Sequence, residues 1–497
     1  MAAGYLGVGT GAAATPSTSN LTIESGANVA VTTFYVGDAS GRSGMVIQTG
    51  GSVAVAGGCR IGHYATESSA YTMTGGSLTL TGNPTANPST SGVGEQVGGI
   101  YLGVDGTGSL VQTGGSISTR FVVLDNRGDS AGTDTLTLSG GTLTLTSIWG
   151  LTQRNASTLV NFGGGTIVAG ANLPIDATPV LADGTTTTIN TGGFTVTAPK
   201  AFSGTGGLAI TGGGTFQVTG TSTAIGTATV SGSGTTLTGT ATMAGSDVTI
   251  QAGAKVKPTS TLQFLGNLNV NAGASLEAAI TSPTAVTKVV SAGQLTANGT
   301  VKVTLSGFTP TLGQVFDIAD FTSFSGTPSF DFSGAVLPGG LTWSTTSFST
   351  DGRISIVAGN AYQAFEASHG ISGAGATVDS DGDGIVNGIE FVLGGNPSGP
   401  GSDSSALSPT FTVDESYFRF MFRRADASVS FNPHVKYGSD LAGWTDAVDG
   451  LPVENPVIVA VEGSFYGPGV ARVSVLIPRS LAAPGGKLFG RLAVQIP

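Results

Sequence analysis

The chain has 497 residues, more than one ordinary compact core holds, and only 10% of them are charged, against about 25% in average soluble domains. Its net charge of −11, with 19 scattered basic side chains and no Lys/Arg run, excludes a basic nucleic-acid-binding surface, and no apolar run approaches the ~18 residues of a membrane helix. A single cysteine, Cys59, excludes an internal disulfide. In the small-residue corner GGCRIG it reads as a buried hydrophobe, not a nucleophile.

Met1 is followed within four residues by Tyr5-Leu6-Gly7, which is already strand-like. No leader is read there, so a mature form or a fragment is expected. From Phe34 to Gly82 the chain writes one pattern twice: FYVGDASGRSGMVIQTGGSVAVAGG, then CRIGHYATESSAYTMTGGSLTLTG. Each copy holds three short alternating pieces joined by glycine-rich corners. In a β-solenoid one such copy is one coil, and its inner face is buried only by the next.

The central corners are Ser25-Gly26-Ala27, Thr49-Gly50-Gly51, Thr74-Gly75-Gly76, Thr113-Gly114-Gly115, Ser139-Gly140-Gly141 and Gly163-Gly164-Gly165. The middle glycines of these triplets are spaced 24, 25, 39, 26 and 24 residues apart. The long step contains an insertion, residues 83–98, thrown out at one corner. First strands are expected at Tyr5–Val8, Phe34–Gly37, Arg60–Gly62, Tyr101–Val104 and Phe121–Leu124. Second strands precede each corner and third strands follow it. In LTLSGGTLTLT the period is two, with Leu inward and the β-branched Thr outward. Past residue 170 the pattern loosens; Gly253 and Gly273 are 20 apart, which predicts narrower coils.

The expected fold is all-β: a right-handed parallel β-helix over 1–288, a cap over 289–358 rich in Phe, Trp and Pro, a linker over 359–407, and a small antiparallel β-sandwich over 408–497. A cap is needed because an open solenoid end leaves strand backbone unpaired. The sandwich is read from TFTV, YFRFMFR, SVSFNPHVKYGSD, PVIVAVEG, ARVSVLIP and KLFGRLAVQI.

TGGSLTLTG, SGGTLTLTS and the ending LPGGLTWSTTSFSTDGRISIV resemble the passenger repeats of the autotransporter-associated β-strand family, over roughly the first 70% of the chain. The resemblance implies a solenoid and cell-surface export, and no activity. The 140 residues after Val357 lack the amphipathic strands of an outer-membrane barrel, so self-translocation is not expected.

The sharpest motif is Asp379-Ser-Asp381-Gly-Asp383-Gly384-Ile385-Val-Asn387-Gly-Ile-Glu390. It matches a twelve-residue Ca²⁺ loop. Asp379, Asp381 and Asp383 stand at positions 1, 3 and 5. Gly384 turns the chain, Ile385 offers a carbonyl, Asn387 acts through water, and Glu390 closes the set. The entering side, GISGAGAT, is a poor helix, so the loop resembles the single loops of dockerin and thrombospondin type 3 repeats. A calcium-stabilised joint is expected, which favours a secreted or surface location.

A second constellation is Asp38, His63, Asp105 and Asp125, each after a first strand, with Arg42, Arg60, Arg120 and Arg127 nearby. Stacked, they would form a column like that of polysaccharide-cutting β-helix enzymes; as isolated residues they are ordinary turn formers. The preferred reading is non-catalytic: a spacer, adhesin, matrix component or filament subunit. Its expected partners are further copies, joined head to tail, or surface glycans. A glycan site on the sandwich around Tyr417, Tyr437 or Trp444 is the third possibility.

Overall fold

A computed structural model describes residues 3–11, 17–64, 68–88, 97–125, 132–155, 157–220, 222–245, 247–338, 340–399, 404–482 and 486–496. The chain divides into two compact units. Met1–Phe308, Phe316–Val336 and Thr345–Ile354 form the first; Thr309–Val315, Leu337–Ser344 and Ser355–Pro497 form the second.

The first unit is a parallel β-solenoid, as the repeats require. Along its first-strand face the register runs Val8↔Val36, Val36↔Ile61, Ile61↔Leu102 and Leu102↔Leu124. Along the second it runs Ile23↔Gln48, Gln48↔Met73, Met73↔Gln112 and Gln112↔Leu138. Along the third it runs Val31↔Val55, Val53↔Leu78, Leu78↔Ile117 and Ile117↔Leu143. All of these side chains are buried. Strict alternation in Ser77–Leu80 and Thr142–Leu145 sends Leu inward and Ser or Thr outward. Each inward aliphatic side chain stabilises the stack by roughly 1.5–3 kcal/mol.

The corners are held by backbone. Gly51, Gly76, Gly115 and Gly141 adopt positive φ, and the corner threonines donate back one coil, Thr49 N to Ile23 O, Thr74 N to Gln48 O and Thr113 N to Met73 O. Two glutamines reinforce them from inside. Gln48 is fully buried; its Nε2 donates to Gly50 O at 3.1 Å and Ser77 O at 3.0 Å, and its Oε1 accepts from Tyr71 Oη at 2.6 Å. Gln112 repeats the pattern on Gly115 O and Thr142 O. A buried polar group left unpaired costs about 1–3 kcal/mol. Gln48→Leu is therefore expected to destabilise by about 2–3 kcal/mol, because the Tyr71 hydroxyl loses its acceptor. In a urea titration, Tyr71→Phe added to Gln48→Leu should recover part of that loss; full additivity of the two would argue against the pairing.

The coils narrow as expected. Ile210↔Val230, Val230↔Ile250 and Ile250↔Val270 are each 20 residues apart. Parallel pairing does not stop near residue 288. Leu295↔Phe324 and Val301↔Phe330 extend the ladder through Ser329–Gly334. A single turn, α1 (Phe348–Asp351), then buries Phe348 edge-on against Phe324 and Phe330.

One face departs from simple alternation. Gly99–Leu102, Phe121–Leu124 and Leu151–Gln153 are buried on both sides. Tyr101, Val104, Phe121 and Val123 cluster with Trp149 on the outer side. The start of the 83–98 insertion is held there: Arg154 Nη2 donates to Pro88 O at 2.7 Å, and Arg120 Nε to O of the preceding Gly82 at 3.2 Å. Residues 89–96 and Arg127 lie outside the described residues.

In the second unit, Leu341–Ser344 pairs antiparallel with Ser355–Ala358, and among the described residues the C-terminal part forms two further antiparallel sheets. Thr410–Val413, Tyr417–Ala425, Val470–Pro478 and Ile458–Glu462 form one, and Thr445–Asp446, His434–Gly438 and Phe489–Ala493 the other. Phe418, Phe420, Phe422, Val435, Val473 and Ile477 fill the space between them. The segment read as a linker is folded into this unit. Helix α2 (Ala361–Ser368) contributes Tyr362 to a cluster with Phe391 and Phe431, and α3 (Asn387–Leu393) inserts Val392 and Leu393 into the sandwich core. No helix among the described residues is long and apolar enough to cross a membrane.

Candidate metal centre

The acidic loop lies between α2 and α3. Its turns are made by its own carboxylates. Asp379 accepts from Gly382 N at 2.8 Å and Gly384 N at 2.9 Å. Asp381 Oδ1 accepts from Asp383 N, and Asp383 Oδ1 from Ile385 N. Gly382 and Gly384, both at positive φ, permit this winding. The outcome is that Asp379, Asp381 and Asp383 present ligand oxygens within 4.8 Å of one another. Asp381 Oδ2 and Asp383 Oδ2 are shielded from solvent and accept no hydrogen bond. A shielded acceptor without a donor is costly, and a cation satisfies it without a proton. The triad is thus chemically suited to a hard metal ion, which prefers oxygen donors.

The other expected ligands are placed differently. Ile385 is half-buried and uses its N–H on Asp383. Asn387 is fully buried. Its Oδ1 accepts from Ser380 N, and its Nδ2 donates to Gly375 O and Ser380 Oγ, so its amide braces the loop. Glu390, also fully buried, accepts from Ser404 Oγ at 2.6 Å. It is not part of the converging acidic group.

Sequence reasoning missed two supports. Glu366 of α2 is buried and accepts from Gly375 N and Gly373 N, fixing the entering arm of the loop. Tyr362 beside it keeps its phenol proton well above the usual range, through burial first and the Glu366 charge second. The available signal was Tyr362, Phe365 and Glu366 at helical i, i+3, i+4 spacing, a carboxylate on an otherwise apolar stripe. Ser404, the partner of Glu390, had no signal of this kind.

The solenoid column is only half assembled. His63 N donates to Gly37 O and Val104 N to Gly62 O, so Asp38, His63 and Val104 share one stacking position. Asp125 N donates to Leu102 O, which places Asp125 one position earlier, in the row of Gly37, Gly62 and Gly103. There it takes φ 55 and is fully buried. Asp38 and His63 do meet, with His63 Nδ1 2.7 Å from Asp38 Oδ1. An ionised carboxylate only accepts, so Nδ1 carries the proton. Cys59 is fully buried, and burial pushes its thiol up to about 12, leaving no thiolate near neutrality. On the sandwich, Tyr437 is a core residue, Tyr417 is half-buried, and Arg491 lies 4.3 Å over the Trp444 ring.

Comparison with protein-family profiles, with curated proteins and with solved structures finds no match to this chain.

Proposed function

We propose that the chain is a secreted or surface-displayed structural protein, serving as a spacer, adhesin, matrix component or filament subunit, with a calcium-stabilised loop in its second unit. The observation that carries this reading is the parallel ladder running from Ala3 to Gly334. Its inside is mostly apolar and its outward rows are mostly Ser, Thr and Asn, as in Ser77↔Ser116, Ser116↔Thr142 and Thr142↔Thr166. Such a stack offers proteases few openable segments, because each coil is hydrogen-bonded to both neighbours. Calcium fits the acidic triad because extracellular modules use weak, oxygen-rich sites, with Kd values of about 10⁻⁴–10⁻³ M.

Proteinase K digestion of the full chain should leave a resistant fragment that begins in the first coils and extends beyond Leu305. Continuous degradation of that region would argue against a structural role. Release of reducing ends from a polysaccharide by the wild type, abolished in Asp38→Ala, would move the assignment to a glycan-cleaving enzyme.

A further inference from the structure

The outward side of the first three coils carries an unusual concentration of rings. Tyr35 and Arg60 pair in register, and Tyr35 pairs with Gly7, two residues from Tyr5. Tyr5 and Tyr35 meet edge to face at 5.4 Å, Tyr35 and His63 lie 5.5 Å apart, and His63 and Tyr64 lie 4.8 Å apart. The Arg60 guanidinium sits 4.3 Å over the Tyr35 ring. The rings at the two ends stay open to solvent, Tyr5 at 47% and Tyr64 at 43% exposure.

The array is fixed from beneath. One Asp38 oxygen accepts from His63 Nδ1 and the other from the Tyr5 hydroxyl. Burial, then the Asp38 carboxylate, holds the Tyr5 proton well above its ordinary range, so this hydroxyl remains a donor. Asp38 is thereby occupied in orienting two rings, and His63 keeps Nε2 for other work. The patch also has an end. The next outward residue in the Tyr35–Arg60 row is Tyr101, which is fully buried in the cluster with Phe121 and Val123. The same kind of surface is therefore covered in the later coils and open in the first three.

We propose that this face binds a neutral glycan, stacked on Tyr5 and Tyr64 and held at its hydroxyl edge by His63. A sugar ring has apolar C–H faces and a rim of hydroxyls. Exposed amphipathic rings flanking a few fixed polar groups match both features. Asp38 and Arg60 carry opposite charges, and the chain as a whole is strongly acidic, which disfavours anionic ligands. The proposal gives a ligand class to the adhesive part of the function above and rests on that part alone. The protease-resistant ladder stands whether or not a sugar binds.

The test is affinity electrophoresis of the full chain through gels containing β-glucan, xylan, mannan or, as the anionic arm, polygalacturonate. The wild type should be retarded by at least one neutral polymer. The double variant Tyr5→Ala/Tyr64→Ala should bind about tenfold more weakly, with the far-UV circular dichroism of the ladder retained and only the Tyr5–Asp38 hydrogen bond, about 0.5–1.5 kcal/mol, lost from its stability. The Tyr5→Phe/Tyr64→Phe variant, which keeps the rings, should retain most of the binding. Three results would overturn the proposal: no retardation by any neutral polymer, retardation by polygalacturonate alone, or equal retardation of the wild type and the alanine variant. The last would place binding elsewhere, for example on the sandwich.

Discussion

Gly76→Ala should lower the stability of the solenoid by about 4 kcal/mol or more, while Gly193→Ala, also at a glycine of positive φ, should cost only about 1–2 kcal/mol. Both residues occupy the left-handed region, Gly76 at φ 79 and Gly193 at φ 85, so both substitutions carry backbone strain. They differ in what a methyl group meets. At Gly76 it would lie 2.4 Å from Gly50 O and 2.5 Å from Gly51 O, whereas at Gly193 nothing lies within 4 Å. Those two oxygens cannot retreat freely. Gly51 O accepts from Ser77 N at 3.0 Å, and Gly50 O accepts from Gln48 Nε2. Moving them separates one coil from the next, and coil-to-coil contact is the term on which a one-dimensional stack depends. Urea titration by circular dichroism measures both variants. Equal shifts in midpoint would show that strain at φ, not close stacking of the corners, decides the outcome.

The corners and strands are readable because two signals coincide there: alternation with period two, and paired glycines at near-constant spacing. Where one signal is missing, the reading falls short. Gln48 and Gln112 sit at strand ends, where an outward polar residue is the ordinary expectation, yet each turns inward and ties its own corner. The inward position of Gln48 follows from its parity with Val46, two residues earlier on the same face. Gly99–Leu102 and Phe121–Leu124 are apolar without alternation, and that is the pattern of a strand buried on both faces. The last coils read as a separate cap because Phe, Trp and Pro enter there in place of Leu and Val; the structure shows that their steps also lengthen, as in Leu295↔Phe324. The linker misleads for another reason. Gly-rich composition around the acidic loop suggests a free segment, but Val392 and Leu393 of a seven-residue helix supply core to the sandwich. A helix that short is fixed by tertiary packing, which local sequence does not report. Within the loop the three aspartates converge as their spacing implies. Asn387 and Glu390 are instead drawn into buried hydrogen bonds by Ser380, Gly375 and Ser404, partners outside or between the motif positions.

Calcium should stabilise the second unit, and chelation should reverse the effect. With Kd values of about 10⁻⁴–10⁻³ M typical of extracellular modules, about 10 mM Ca²⁺ contributes roughly 1.4–2.7 kcal/mol of stability through mass action. For a unit of this size that amounts to about 5 °C in melting temperature. Mg²⁺ should do much less, since it demands a tighter octahedral shell and gives up water reluctantly. Asp381→Asn separates metal binding from ordinary surface electrostatics by sign. Without metal, Asp379, Asp381 and Asp383 crowd three carboxylates into one turn, and like charges so close repel. Removing one of them should leave the metal-free unit as stable as before or slightly more so, while abolishing the increment from Ca²⁺. The loop is braced by Glu366 and Asn387, so its loosening should also be visible as faster cleavage between Val378 and Ser408 in EDTA. Identical melting and digestion of the wild type in Ca²⁺ and in EDTA would remove the metal from the account. A loss of stability in Asp381→Asn equal in both conditions would reassign the triad to a purely structural turn, with Asp381 valued for its hydrogen bond from Asp383 N.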